Sequence, residues 1–323
     1  MSNIVVGIID PFHPAIIEAI RRALPDSWRL EVTAGPSDEA QAAALSNADI
    51  AFVMATPMPA TLLEKAPKLR FIQKLGAGTD RIDTAYCAAN SIAVARLQAG
   101  NAIPVAEHTL LMILAAGRRL PLLDRQTRAG EWDKEECRGM NRQISGRTLG
   151  IVGFGAIGRA LARLLAGFEV ELLYYDPIQA SPEDERALGV QHRPLDALLE
   201  EADIVSLHLP LMPETQGLIG AERLARMKKG SILVNCARGG LVDEAALYES
   251  LKAGHLFAAG IDAFAQEPPV GSPLLSIDTV VVTPHAAGAT LDNFDAVAAR
   301  AVANARAFLA GESLPAADVV VAP

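Results

Sequence analysis

Three glycines, Gly153, Gly155 and Gly158, separate an apolar run from a helical one with the spacing G-x-G-x-x-G. This turn limits the fold more than any other part of the sequence. The first glycine permits a tight bend, the second lets a phosphate approach the backbone, and the third lets the helix lie against the strand. The amides of Ala156 and Ile157 would then meet the phosphate charge at the helix start. An ordinary glycine-rich turn remains the alternative.

Asp176 supplies a second signal for the same kind of site. It ends the next apolar run, close to the ~20 residues beyond the turn at which dinucleotide sites place an acid for the ribose hydroxyls. Such an acid repels a 2′-phosphate, and the following Pro177-Ile178-Gln179 offers no Arg to receive one. The sequence therefore predicts NAD rather than NADP. In the alternative interpretation, Asp176 only starts a turn before Pro177.

Short β-branched runs alternate with helical stretches along the chain, which predicts βαβ units and parallel sheets. We predict strands at 4–9, 50–54, 71–73, 92–95, 148–152, 169–175, 204–208, 231–235, 258–262 and 280–283, and helices at 14–23, 39–45, 81–88 and 104–118. The 323 residues suffice for two domains with separate cores. The last helical stretch, residues 292–309, has no strand near it in sequence, so we expect it to pack on the N-terminal domain. We predict an α/β fold with two Rossmann-like, doubly wound parallel-sheet domains. An NAD-binding domain (101–289) is inserted into a flavodoxin-like, substrate-binding (catalytic) domain (1–100 and 290–323), and a cleft between domains is a preferred ligand site.

Composition excludes several functions. The net charge of −9 argues against nucleic acid as a partner, because phosphate contacts need clustered Lys and Arg. No apolar helical stretch approaches the ~20 residues needed to cross a membrane. Cys87, Cys137 and Cys236 match no metal or disulfide spacing. We therefore expect a cytoplasmic protein without a metal.

Arg238, Glu267 and His285 each follow a predicted strand in the same half of the chain as the glycine turn. Ligands of open α/β sheets bind outside the carboxyl ends of the strands. A planar, permanently charged guanidinium fits a carboxylate, an imidazole suits proton transfer, and a neighbouring carboxylate favours the protonated ring. Taken singly, the three could equally be a surface Arg, a loop Glu and a helix-capping His.

With these segments the chain resembles the D-isomer-specific 2-hydroxyacid dehydrogenases. Other segments that carry the resemblance are 74–83 (Lys-Leu-Gly-Ala-Gly-Thr-Asp-Arg-Ile-Asp), 101–108, the glycine turn, 206–210 (Ser-Leu-His-Leu-Pro) and 213–215 (Pro-Glu-Thr). The resemblance implies that Arg238 binds the substrate carboxylate and polarises the carbonyl. It also implies that His285 is the acid/base and that Glu267 orients it.

The resemblance further implies two sets of binding residues. Substrate would be held by the amides of Ala77 and Gly78, with Asn101 nearby and Arg238. Asp262 would contact the nicotinamide carboxamide and Cys236 the nicotinamide end, whereas His208 and Thr215 are equally consistent with shaping the cofactor loop. The implied cofactor set is Gly153, Gly155, Ala156, Ile157, Gly158, Asp176, His208, Pro210, Thr215, Cys236, Asp262 and Gly288.

Departures from related enzymes narrow the substrate. Formate dehydrogenases of this superfamily have Gln at the position of Glu267, and phosphite dehydrogenase has Lys at that of Ala77. The loop 53–60 contains no charged residue, whereas in phosphoglycerate dehydrogenases it supplies an Arg to the substrate phosphate. We therefore expect a small unphosphorylated acid such as glyoxylate or hydroxypyruvate, although Lys74, Arg81 and Arg96 could serve a phosphate.

Three further expectations follow from the resemblance. A D-3-phosphoglycerate dehydrogenase is one alternative, and an NAD(H)-sensing scaffold like the C-terminal-binding-protein corepressors is another. The helix at 104–118 and the arm at 120–144 predict a homodimer.

Overall fold

The structure, a computed structural model, describes residues 3–322. The chain divides into two compact units. The first unit comprises Met1–Asn101 and Thr290–Pro323, and the second comprises Ala102–Ala289. The second unit is therefore an insertion in the sequence of the first, and it runs from Ala102 to Ala289, whereas we predicted 101–289.

The helices and strands are given in chain order. The first unit begins with β1 (Val5–Ile8), α1 (Pro14–Ala23), β2 (Arg29–Val32), α2 (Asp38–Leu45), β3 (Ile50–Val53), α3 (Ala60–Leu63), β4 (Phe71–Lys74), α4 (Thr84–Ala89) and β5 (Ala93–Ala95). The second unit contains α5 (Ala102–Arg118), α6 (Leu120–Arg128), α7 (Lys134–Met140), β6 (Thr148–Val152), α8 (Ala156–Leu165), β7 (Glu171–Tyr175), α9 (Pro182–Leu188), β8 (Val190–His192), α10 (Leu195–Glu201), β9 (Ile204–Leu207), α11 (Ala221–Arg226), β10 (Ile232–Asn235), α12 (Glu244–Lys252), β11 (Ala258–Ile261) and β12 (Val280–Val282). The chain returns to the first unit with α13 (Leu291–Ala310) and β13 (Val319–Val321).

The sheet of the first unit has the strand order β13-β5-β4-β3-β1-β2. Strands β1 to β5 are parallel in the flavodoxin-like order 2-1-3-4-5, and β13 adds an antiparallel edge. The last helix packs on this unit, where Phe294, Val297 and Ala301 join the core with β1 and β3 residues. Phe308 stacks on Phe71 of β4 at 4.7 Å between ring centroids. The apolar face of α13 is therefore buried against the N-terminal strands.

The sheet of the second unit contains seven parallel strands in the order β12-β11-β10-β9-β6-β7-β8. This is the doubly wound Rossmann order with one added strand. The order reverses between β6 and β9, and the residues after these strands, Gly153 and His208, lie where such sheets bind ligands. The predicted α/β class with two parallel-sheet domains is confirmed.

Burial explains why these runs form strands. Every residue of β1, β3, β9, β10 and β11 is buried, as expected for parallel strands covered by helices on both faces. The edge strand β2 is partly exposed along its length. Within residues 3–322, no helix is both long and apolar enough to span a membrane.

Candidate active site

The glycine turn after β6 has the geometry that its spacing predicts. Gly153 has a φ of +98°, and a Cβ there would lie 2.7 Å from the carbonyl carbon of His208. A Cβ on Gly158 would lie 2.4 Å from the carbonyl oxygen of Gly153, because the helix crosses the strand closely. A Cβ on Gly155 would meet no atom within 4 Å. Two glycines are therefore required by contacts within the protein, and the third faces open space.

The start of α8 offers amide groups to this open space. Gly155 is the N-cap and has no side chain to cap the helix. The first helical hydrogen bond of the turn runs from Arg159 N–H to Gly155 O, at 3.0 Å. The amides of Ala156 and Ile157 therefore have no acceptor within the helix. Open amides at the positive end of a helix, beside a glycine, fit the pyrophosphate of a dinucleotide.

Asp176 lies directly after β7 and is fixed beside the glycine turn. One carboxylate oxygen accepts a hydrogen bond from Phe154 N–H (2.8 Å), and the other accepts one from Ile178 N–H (3.0 Å). Each oxygen retains a lone pair for a further donor. The residue fits a role in binding ribose hydroxyls, and its anchored charge opposes a phosphate in that position.

His285 and Glu267 form a pair in the second unit. His285 Nδ1 lies 2.7 Å from Glu267 Oε1, and both side chains remain partly accessible. An ionised carboxylate only accepts, so Nδ1 carries the shared proton and Nε2 remains for proton exchange. His285 has a φ of +54°, and its N–H donates to the carbonyl oxygens of Asp262 (2.8 Å) and Thr283 (3.1 Å).

Arg238 follows β10 in a turn that packs on the chain leading to Glu267. The side chain of Asn235 holds the turn, because its Nδ2 donates to Arg238 O at 2.8 Å. A Cβ on Gly239 would lie 1.9 Å from the carbonyl carbon of Phe264. This close contact is what brings the Arg238 turn beside the segment that carries Glu267, and any larger residue at 239 would separate them.

Asp262, directly after β11, is fully buried. Its Oδ1 accepts hydrogen bonds from Thr283 Oγ1 (2.6 Å) and Ala286 N–H (2.8 Å), and its Oδ2 accepts one from Ala287 N–H (3.0 Å). The carboxylate therefore holds the turn on which His285 lies, and that turn continues into Gly288. The nearby thiol of Cys236 is buried, and burial raises its pKa to about 12. It stays protonated and is unsuited to act as a nucleophile.

His208, Pro210 and Thr215 shape the loop after β9. Thr215 Oγ1 donates to Pro210 O (2.7 Å) and accepts from Met212 N–H (2.8 Å), which closes the loop. His208 Nε2 lies 2.8 Å from Ser206 Oγ. Burial lowers the pKa of His208 to about 4, so the ring is neutral at ordinary pH.

The first unit contains the residues predicted to hold a carboxylate. Ala77 and Gly78 lie in the turn after β4, and their amides find no acceptor among residues 3–322. Asn101 is the last residue before α5. The described part of the chain contains no cluster of three His, Cys, Asp or Glu residues suited to a metal.

The loop after β3 is held by charged side chains. Asp10, buried at the end of the first apolar run, accepts hydrogen bonds from the amides of Met54 (2.6 Å), Ala55 (2.7 Å) and Thr56 (2.8 Å). Lys74 Nζ donates to Met54 O, and Arg81 donates to Ala55 O. Lys74 and Arg81 were named from the sequence as possible partners of a phosphate here, but Asp10 was not identified, although it ends a strand in the same way as Asp176 and Asp262.

Sequence comparison shows what the chain is similar to. The family "D-isomer specific 2-hydroxyacid dehydrogenase, NAD binding domain" matches residues 110–287. A D-3-phosphoglycerate dehydrogenase of Mycobacterium bovis is 40% identical over 316 residues, which cover 98% of this chain and 58% of that protein. This chain thus spans little more than half the length of that relative. A glyoxylate reductase of Korarchaeum cryptofilum is 40% identical over 294 residues, covering 90% of this chain and 88% of that protein.

Structural comparison agrees with these matches. The crystal structure of a D-lactate dehydrogenase from Aquifex aeolicus, complexed with NAD and lactic acid, superposes with a TM-score of 0.84. It is 30% identical in sequence, and the match covers 99% of both chains.

Proposed function

Because the chain belongs to the D-isomer-specific 2-hydroxyacid dehydrogenase family, we propose that it is an NAD-dependent enzyme that interconverts a small 2-hydroxy acid and its 2-keto acid. The observation that carries the proposal is the 2.7 Å contact between His285 Nδ1 and Glu267 Oε1. The turn of Arg238 packs on the segment that leads to the same Glu267. An acid–base group and a guanidinium at the carboxyl edge of the same sheet are what reduction of a keto acid requires.

Each catalytic group has one task. Bound NADH supplies the hydride equivalent. The Nδ1 proton of His285 is engaged in the hydrogen bond to Glu267. Nε2 is therefore the atom that gives a proton to the substrate oxygen, and in the oxidation direction it takes the proton back. Arg238 binds the substrate carboxylate with its forked guanidinium and stabilises the negative charge that develops on the oxygen.

The cofactor is proposed to bind at the carboxyl edge of the second unit's sheet. The amides of Ala156 and Ile157 meet the pyrophosphate, beside the open space at Gly155. Asp176 binds the adenosine ribose. The remaining cofactor residues are proposed to be Gly153, Gly158, His208, Pro210, Thr215, Cys236, Asp262 and Gly288. In the first unit, the open amides of Ala77 and Gly78, with Asn101, are proposed to bind a substrate carboxylate.

The proposed substrate is small and unphosphorylated, like glyoxylate or hydroxypyruvate. The support is the absence of any charged residue from the loop 53–60. Met58, although part of this loop, is fully buried in the core and not available to a substrate. Met54, Ala55 and Ala60 keep exposed surface, as do the two prolines of the loop.

A phosphorylated substrate, as for a D-3-phosphoglycerate dehydrogenase, is the second candidate. It is favoured by Lys74 and Arg81, which donate to the carbonyl oxygens of Met54 and Ala55 and so bring two cations to this loop. A phosphate without charge-assisted partners would lose several kcal/mol of hydration. These two side chains are the groups that would compensate for that loss.

Steady-state assays with NADH distinguish these candidates. Wild type is expected to have a higher kcat/KM for glyoxylate or hydroxypyruvate than for 3-phosphohydroxypyruvate. A clear preference for the phosphorylated acid, lost in Lys74→Met or Arg81→Met, would establish the second candidate. Arg70→Met is the matched control, because the Arg70 side chain forms a long surface pair with Asp49 (3.7 Å), away from this loop. Absence of turnover with a broad panel of keto acids, despite NADH binding, would favour a cofactor-sensing scaffold.

We propose that the enzyme is a homodimer. The second unit exposes apolar side chains on α5 and on the arm after it, including Leu111 (53% exposed) and Trp132 (82%). Light scattering is expected to give twice the chain mass, and Trp132→Glu is expected to weaken the dimer. A monomeric wild type at micromolar concentration would refute this proposal. The three cysteines are unpaired thiols, which is consistent with the cytoplasmic location that we also propose.

A further inference from the structure

His108, on α5, is joined to the turn of His285 by a chain of hydrogen bonds. His108 Nε2 lies 3.0 Å from Thr283 Oγ1, and Thr283 Oγ1 lies 2.6 Å from Asp262 Oδ1. A threonine hydroxyl has a single proton, and an ionised carboxylate can only accept. The hydroxyl therefore donates to Asp262 and accepts from His108. It follows that His108 carries a proton on Nε2.

Asp262 is the point from which the turn of His285 is held. Its carboxylate accepts hydrogen bonds from the N–H groups of Ala286 and Ala287, and its carbonyl oxygen accepts one from the N–H group of His285. The left-handed backbone of His285, at φ +54°, is uncommon for a residue with a side chain and persists only where its surroundings enforce it. The orientation of Asp262 therefore controls where the imidazole meets Glu267.

The hydroxyl of Thr283 donates to Asp262, and its oxygen keeps lone pairs for a second donor. A donor on one of those lone pairs fixes the position of the hydroxyl oxygen and strengthens its hydrogen bond to Asp262. His108 is placed to do this, because its Nε2 is within hydrogen-bond distance of Thr283 and only 3.6 Å from the same Asp262 oxygen. An apolar side chain could fill the same space on α5 but could not supply the proton.

We propose that His108 is a positioning residue for His285, acting through Thr283 and Asp262. This inference depends on the proposed role of His285 as the acid–base group. His108 itself makes no contact with the reacting atoms in this scheme. Its contribution is to keep the turn 283–287 in the conformation that pairs His285 with Glu267.

The test compares His108→Phe with His108→Gln in steady-state reduction of the preferred keto acid. Phenylalanine fills the space without a donor, and small misplacements of a catalytic group cost roughly tenfold or more in rate. We expect kcat to fall about tenfold while KM and the NADH dissociation constant change less than about twofold. The glutamine amide can donate from nearly the same position, so His108→Gln is expected to restore kcat to within about threefold of wild type.

A double-variant cycle with Thr283→Val tests the proposed route. Valine is nearly isosteric with threonine but lacks the hydroxyl. If His108 acts through Thr283, the variant carrying both His108→Phe and Thr283→Val loses no more activity than Thr283→Val alone. Additive losses would mean that His108 acts by packing, and would overturn the inference. If His108→Phe does not fold, Thr283→Val alone must lower kcat by about tenfold with normal activity in His108→Gln.

The control is His255→Phe. His255 Nε2 lies 3.1 Å from Leu224 O, a comparable bond elsewhere in the second unit, and its loss is expected to leave kcat unchanged. Unchanged kcat in His108→Phe, with loss of turnover in His285→Ala, would refute the role of His108 alone. Retained turnover in His285→Ala would refute the proposed function itself.

Discussion

Two buried aspartates, one in each unit, hold loops of proposed function in the same way. Asp10 lies just after β1 and binds the amides of Met54, Ala55 and Thr56 after the adjacent strand β3. Asp262 lies just after β11 and binds the amides of Ala286 and Ala287 after the adjacent strand β12. In both cases a desolvated carboxylate is satisfied by backbone donors, as a buried charge must be.

The two loops differ in what else they carry. The loop at Asp10 has cations on its carbonyl groups, from Lys74 and Arg81, and no titratable ring of its own. The loop at Asp262 carries His285, paired with Glu267. The same arrangement, a buried aspartate that binds loop amides, therefore supports a proposed binding loop in one unit and a proposed acid–base group in the other. The proposed chemistry depends on the other residues of each loop and not on the aspartate.

The largest effect is expected when the imidazole of His285, which distinguishes the loop at Asp262, is removed. His285→Ala is expected to lower kcat by about 10² to 10⁴-fold, which is the usual contribution of one acid–base group. NADH affinity, measured by fluorescence titration, should stay within a few fold, because the glycine turn follows a different strand. Arg238→Ala should behave similarly. Near-normal rates in His285→Ala with any good substrate would contradict the acid–base assignment.

The contributions of the two buried aspartates to stability and to kinetics can be compared with the variants Asp10→Asn and Asp262→Asn. Each substitution leaves a backbone donor poorly paired, so each is expected to lower the free energy of unfolding by about 1–3 kcal/mol. Their kinetic effects should separate. Asp262→Asn should lower kcat at least about tenfold by displacing His285, whereas Asp10→Asn should chiefly raise KM. Denaturant unfolding and steady-state kinetics measure both, and the reverse kinetic pattern would show that the two loops have been assigned the wrong way round.

A third strand-end aspartate, Asp176, holds the glycine turn through Phe154 N–H and is expected to select the cofactor. We expect at least a ~10-fold preference for NADH over NADPH in kcat/KM, because a carboxylate near a phosphate dianion is repulsive. Asp176→Ser combined with Pro177→Arg should narrow or reverse the preference. Equal efficiency of wild type with both cofactors would eliminate the ribose-binding role.

The smallest expected effect concerns the other strand-end histidine, His208. Its folded-state pKa of about 4 lies below the ordinary value of 6.5, so the unfolded chain binds a proton more readily between these pH values. The stabilisation is complete above pH 6.5 and declines as pH falls toward 4, by the order of 2 kcal/mol. His208→Gln should flatten this part of the stability–pH curve relative to wild type. An unchanged slope would mean that other groups cause it.

The sequence predicted best what depends on local pattern. The continuous apolar run of β6 and the amphipathic α1 were expected at the residues where the structure has them. The strands β2, β8 and β13 were not expected. They are short, polar or partly exposed edge strands, and their strand character comes from pairing with a neighbour that the local sequence does not reveal.

The site followed the same division. Asp176, Arg238 and His285 were proposed from the sequence because each has a recognisable residue type after a strand. Asp10, Thr283 and His108 were not identified, because their roles come from hydrogen bonds to residues far away in the sequence. Met58 belongs to the loop 53–60 from which the substrate was predicted, but its side chain is buried in the core. No periodicity in an irregular loop indicates which side chains face inward.

The left-handed backbone at His285 has a consequence for anyone who redesigns this chain. Glycine suits that conformation best, and asparagine tolerates it better than most other residues. A procedure that scores each position by backbone preference would therefore replace this histidine, together with the other left-handed residues Ser91, Ala99, Arg119 and Glu169. Ranking variants by thermal stability alone would enrich sequences that have lost the proposed proton donor. At this position the residue that best suits the backbone and the residue that the proposed turnover needs are different.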